Sequence, residues 1–124
     1  MLGDIIDLGA FLDPVSKLFP LVDSGNAPIA NFSDGLLRVV GDDLTDTIDV
    51  LAAFEIRGDL EKLTLSGGDK ALIISAPSQE TGVDQCMFHA EVRGQAMEIT
   101  KLAIFQGNAM DIDQWHLDNF SFIT

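Results

Sequence analysis

The chain has 124 residues, 47% of them hydrophobic, and a formal net charge of −13 from 20 acidic against 7 basic side chains. That length fits one domain able to bury a core, and that apolar content is too high for a disordered chain. So large a negative charge repels phosphate backbones and anionic lipid, and no basic run with interleaved aromatics offsets it, which sets nucleic-acid binding and acidic-membrane docking aside.

At the N-terminus, Leu2, Ile5, Ile6, Phe11 and Leu12 lie near helical spacing, with Asp4 and Asp7 on another side. Asp13 then reads as an N-cap with Pro14 at the first helical position, opening a second short turn through Val15, Leu18 and Phe19 that Pro20 ends. The expectation is a short, broken amphipathic helix over residues 1–22. Asp4, Asp7 and Asp13 interrupt the apolar stretch and no basic segment precedes it, so neither a signal peptide nor a membrane span is expected. The chain reads as soluble, with its compartment undecided. Leu2, Ile5, Ile6, Phe11, Leu12, Leu18 and Phe19 carry more apolar surface than a short solvent-facing helix tolerates. They are therefore expected to meet a sheet on one side and a partner subunit on the other.

Residues 23–28, DSGNAP, are turn chemistry and separate this element from a β domain over 28–124. Residues 36–40 read as a short strand, followed by an acidic loop over 41–46. Along 47–57, Ile48, Val50, Ala52, Phe54 and Ile56 alternate with Asp49, Glu55 and Arg57, which predicts a half-buried strand. Gly58-Asp59 reads as a hairpin turn, Leu63 and Leu65 as the inward face of the next strand, and Gly67-Gly68 as a turn into a strand over 70–76. Leu72, Ile73 and Ile74 are apolar on both faces, which places that strand at the sheet centre or under the N-terminal helix.

Residues 77–84 form the longest polar loop. Cys86, Phe88, Ala90 and Val92 then share one face of a strand, and Met87, His89, Glu91 and Arg93 the other. Gly94-Gln95 is a two-residue hairpin turn. Beyond it Met97 and Ile99 are out of phase with Leu102 and Ile104, so a β-bulge is expected near Thr100 and Lys101. Gly107-Asn108 turns again. A last phase change, between Trp115 with Leu117 and Phe120 with Phe122, suggests a second bulge near Asp118 and Asn119. The whole reads as one domain, 1–124, mainly β: an antiparallel meander of about seven to eight strands, forming a bent sheet or a small barrel or sandwich, with the N-terminal helix against it.

Candidate chemistry is sparse. Cys86, alone in the sequence and on the predicted core face, reads as a buried, inert thiol. Cys86, His89, His116, Asp111, Asp113 and Asp118 are the available transition-metal ligands, but Cys86 and His89 fall on opposite strand faces, and no cofactor is expected. Asp42, Asp43, Asp46 and Asp49 form a dense acidic loop, the one calcium candidate, although its spacing lacks the EF-hand pattern and a solvated loop explains it as well. His89 with Glu91 could serve as a base and its orienting carboxylate in a small hydrolase, without a recognisable nucleophile elbow. Trp115, His116, His89 and Glu91, together with the 77–84 loop, are the candidate contacts for a small ligand or carbohydrate. The closing LDNFSF, 117–122, is similar to the last strand of bacterial jelly-roll modules that bind carbohydrate or calcium, a similarity of six residues. Glu55-Ile56-Arg57-Gly58 recurs as Glu91-Val92-Arg93-Gly94, either a duplicated hairpin or the ordinary likeness of strand ends before glycine turns. The leading expectation is a non-enzymatic structural or protein-interaction module that self-assembles as a homo-oligomer or docks on a larger partner. A small-ligand or carbohydrate module, calcium-assisted or not, is the alternative, and an enzyme comes last.

Overall fold

The computed structural model describes residues 6–7, 17–18, 22–23, 30–32, 35–41, 44–55, 58, 60–78, 82–94, 96–107 and 120–121. In chain order its elements are β1 (Ile6–Asp7), β2 (Lys17–Leu18), β3 (Val22–Asp23), β4 (Ala30–Asn31), β5 (Gly35–Val40), α1 (Thr47–Phe54), β6 (Leu63–Thr64), β7 (Lys70–Ala76), β8 (Gln85–Arg93), β9 (Ala96–Phe105) and β10 (Phe120–Ser121). The protein is thus mainly β, with one short helix among the described residues. No helix among the described residues is long and apolar enough to cross a membrane.

The longest apolar runs lie at the centre of the main sheet. GLLRVV of β5 and ALIISA of β7 are buried at every position, as strands covered on both faces must be. The sheet runs β2-β5-β7-β8-β9, with β3 beside β2 on the same edge of β5. Lys17 pairs with Gly35 and Val22 with Val39, so the β2–β3 side holds one more residue than β5 between the two contacts. β5 runs parallel to β7, with Leu37 beside Ile73, whereas β7–β8 and β8–β9 are antiparallel. Two small parallel pairs, β4 with β6 and β1 with β10, complete the pairing among the described residues. Between β2 and β7 the chain therefore winds in successive turns: β5 stacks beside β2 and β3, β7 beside β5, and β6 beside β4.

One face of the sheet, Leu37, Val39, Ala71, Ile73, Cys86, Phe88 and Ala90, packs with Val50 and Ala53 of α1 and with Phe32, Leu44, Leu60 and Leu63. Phe32 is fully buried and stacks on Phe54, ring centroids 5.3 Å apart. Burial of a side chain such as Phe32 or Phe88 contributes about 1.5–3 kcal/mol. The other face, with Leu36, Leu72, Ile74 and Met87, is buried too, and it carries Arg38 at 6% exposure. A guanidinium so placed must be held by hydrogen bonds or carboxylates, because burying a bare charge is prohibitive.

Several expectations are corrected. The segment 47–57 does not form a strand; Thr47–Phe54 is α1. Asp46 caps it, its Oδ1 accepting from the Ile48 N–H at 2.9 Å and the Asp49 N–H at 3.1 Å. Asp49, in the first turn, accepts from the N–H and Oγ1 of Thr45, the residue before the cap. The Asp46 cap, with Asp49 holding the preceding Thr45, is a helix start, and Val50, Ala53 and Phe54 at helical spacing meet the core while Ile48 is 74% exposed. The expected antiparallel meander is instead a mixed sheet: parallel strands need a long crossover, and α1 lies within the one joining β5 to β7.

Gly58 is not a hairpin turn either. It sits against the end of α1, where a Cβ would lie 2.3 Å from the Ala53 carbonyl oxygen. Gly67 and Gly68 turn a corner rather than a hairpin, because β6 pairs with β4 and not with β7. Glu55 caps a helix C-terminus while Glu91 lies in β8, so the repeated tetrapeptide is not a duplicated hairpin. In the region 1–22 expected to be helical, Ile6–Asp7 and Lys17–Leu18 are in β pairs. Leu2, Ile5, Phe11, Leu12 and Phe19 lie outside the described residues, as do the expected bulge at Asp118 and Asn119 and the candidates Trp115 and His116.

The hairpin of β8 and β9 follows the sequence closely. Gly94 has φ +65°, the left-handed conformation a primed two-residue turn requires. Met87 pairs with Ala103 and Phe88 with Lys101, so Leu102 is the extra residue of a bulge in β9, one position past the expected place.

Candidate functional site

Described residues of two loops singled out in the sequence, Leu44 and Thr45 from 41–46 and Pro77, Val83 and Asp84 from 77–84, come together at one end of the sheet. The Gly41 N–H donates to the Ala76 carbonyl at 3.1 Å, tying the end of β5 to the end of β7. Ser75 and Cys86 are direct neighbours across β7 and β8. The Ser75 hydroxyl donates to the Leu44 carbonyl at 2.9 Å, and this bond ties Leu44 to the end of β7. There a half-open cleft of about 300 Å³ is lined by Leu44, Thr45, Ser75, Ala76, Pro77, Val83, Asp84 and Cys86. Its walls are mostly apolar. Asp84, exposed at the cleft, accepts from the Gly107 N–H at 2.8 Å, which anchors the mouth to the turn after β9. Lys101 donates its Nζ to the Thr45 carbonyl, bracing the same wall from β9.

Of the four acidic residues proposed for calcium, Asp46 and Asp49 hold the start of α1, and Asp42 and Asp43 lie outside the described residues. No group of three or more His, Cys, Asp or Glu side chains able to hold a metal ion occurs among the described residues.

His89 and Glu91 share the second face of the sheet. His89 stands between Leu72 and Thr100, and Glu91 between Lys70 and Glu98. The Glu91 carboxylate is engaged by Arg93, at 3.3 Å, and Arg93 also reaches Glu98 across the hairpin at 3.2 Å. The hydrogen bond to Glu91, then the charges of Glu91 and Glu98, raise the Arg93 pKa above its ordinary value. Ser75 and Cys86 occupy the first face, together with Phe88, while His89 occupies the second. The strand pleat thus directs those two potential nucleophiles away from the imidazole.

Sequence reasoning passed over two features. Arg38 is legible only as a cation inside GLLRVV, an anomaly that marks a buried charge once the strand is known to be central. The cleft has no sequence signature, because its walls come from three separate stretches of chain. The edge strand β9 is a third element of interest: among the described residues no strand pairs with its outer side, and none of its ten residues is buried.

The fold and these sites define a mainly β protein with a mixed sheet, a single short helix among its described residues and an open strand edge. No protein-family model, curated protein or solved structure matches the chain.

Proposed function

We propose that the protein is a non-enzymatic interaction module that associates with a second copy of itself through β9. The observation that carries this reading is the ten-residue edge strand with an open hydrogen-bonding side among the described residues. A long edge presents a row of backbone donors and acceptors to another chain, and proteins that must avoid such pairing interrupt or charge the edge. β9 has no Pro; it carries the bulge at Leu102 and two charges, Glu98 and Lys101, the latter turned to Thr45, which leaves the regular run before the bulge, 96–101, as the pairing edge. Ile48 of α1 and Ile104 of β9 are the large exposed hydrophobic side chains among the described residues, and α1 packs against β9, so apolar surface accompanies the open edge.

Sedimentation velocity across a concentration series tests the proposal. The intact chain is expected to associate, and Ile104→Lys with Thr100→Lys, both at exposed positions, to shift it to monomer without loss of the β spectrum. Phe11→Asp separates this surface from the apolar N-terminal stretch: if it alone yields monomer, the N-terminal residues and not β9 make the contact. A monomeric intact chain at every concentration overturns the reading.

A further inference from the structure

We propose that the cleft lined by Leu44, Thr45, Pro77, Val83 and Asp84 binds a small primary amine with an apolar body. This does not depend on the assembly reading, since the cleft is built from residues of one chain.

The cleft meets the physical description of a small-molecule site. Its volume of about 300 Å³ lies at the lower end of the range that ligand pockets occupy, which suits a molecule of one ring. Leu44, Ala76, Pro77 and Val83 offer apolar walls, and the backing strand ends are rigid, since Ser75, Ala76 and Cys86 are all buried. The polar groups of the lining are nearly all engaged within the protein. Ser75 is committed to the Leu44 carbonyl, the Thr45 hydroxyl to Asp49 and the Thr45 carbonyl to Lys101. They fix the walls and leave little to recognise a polar ligand body, which argues against a sugar.

Asp84 is the exception. A carboxylate accepts at both oxygens, and the Gly107 N–H occupies Oδ1, which orients the group and leaves Oδ2 for an incoming donor. An ammonium placed there forms a charge-assisted hydrogen bond while its apolar body enters the cleft. The formal charge of −13 adds a field that draws cations toward the protein and turns carboxylates away. Lys101 donates to the Thr45 carbonyl and keeps its charge there, so the preference for a cation rests on the Asp84 carboxylate and the net negative charge.

The test uses the intact chain and two probes of the same shape and opposite charge, cyclohexylmethylamine and cyclohexanecarboxylate, followed by NMR titration. The amine is expected to shift the methyl signals of Leu44 and Val83 and the amides of residues 75–77 and 83–86, and to saturate. The carboxylate is expected to leave them in place. Val83→Trp fills the mouth and abolishes the saturable shifts. Asp84→Asn keeps an oxygen for the Gly107 N–H but removes the charge, and weakens the amine about threefold or more. Dispersed shifts that do not saturate, equal response to both probes, or unchanged amine binding in folded Asp84→Asn would each overturn the proposal.

Discussion

Replacing Asp46 with Ala asks directly what makes residues 47–54 helical. The substitution removes the oxygen that accepts from the Ile48 and Asp49 N–H groups, leaving two donors of the first turn to solvent. Asp46 is exposed, so water reaches those donors and the cost stays near that of an ordinary cap, about 1–2 kcal/mol. An unfolding entropy of about 2.1 cal/mol/K per residue over 124 residues makes each kcal/mol worth about 4 °C, so the melting temperature should fall by about 4–8 °C. Asp46→Asn keeps the accepting oxygen and loses only the interaction of the charge with the helix dipole, about 0.3–1 kcal/mol, so it should lie between wild type and Asp46→Ala. Thermal unfolding by circular dichroism at neutral pH reads all three. Equal melting of Asp46→Ala and wild type, or extended-strand chemical shifts over 47–54, would refute the capped helix and restore the strand suggested by alternation.

Three further outcomes follow from the same packing. Phe32→Ala empties a fully buried site and ends the stack on Phe54, and should cost about 3–5 kcal/mol in urea unfolding; a loss below 1 kcal/mol on that scale would place Phe32 outside the core. Gly58→Ala forces a methyl group against the Ala52 and Ala53 carbonyls and should cost about 1–3 kcal/mol by the same assay, although an exposed glycine would gain from the change. Acid should strengthen self-association as pH falls toward the sequence pI of about 4.1, because carboxylate protonation relieves the repulsion between copies. Light scattering that stays flat in a still-folded sample across that range would show that charge does not limit assembly.

The hairpin of β8 and β9 was legible in the sequence because everything that specifies it is local. Two-residue periodicity sets Cys86, Phe88, Ala90 and Val92 inward, Gly94 supplies a positive φ, and the phase slip past Ile99 announces the bulge. Double-sided burial of β7 was legible for a similar reason, since an unbroken run from Ala71 to Ala76 leaves no polar face for solvent.

The segment 47–54 carries both periods at once. Val50, Ala52 and Phe54 satisfy alternation, whereas Val50, Ala53 and Phe54 satisfy a helix. The capping pair Asp46 and Asp49 decides between them, and that signal is in the sequence for a reader who weighs the start of an element above its middle.

Pairing between distant strands was not legible. Gly58, Gly67 and Gly68 look like hairpin turns because a glycine corner in a wound chain uses the same residues as a turn between antiparallel neighbours. What separates the two cases is whether β7 closes on β6 or on β5, and its actual parallel partner lies across the whole α1 crossover, with Leu36 beside Leu72. Such contacts form only after a long loop is closed, so no local pattern encodes them. Composition and periodicity thus determined on their own that the chain is acidic, has an apolar core, is mainly β and has its hairpin at Gly94. The tertiary structure alone decided the parallel winding, the burial of Arg38 and the meeting of Leu44, Ser75, Val83 and Cys86 around one cleft, because each depends on which distant backbones share hydrogen bonds.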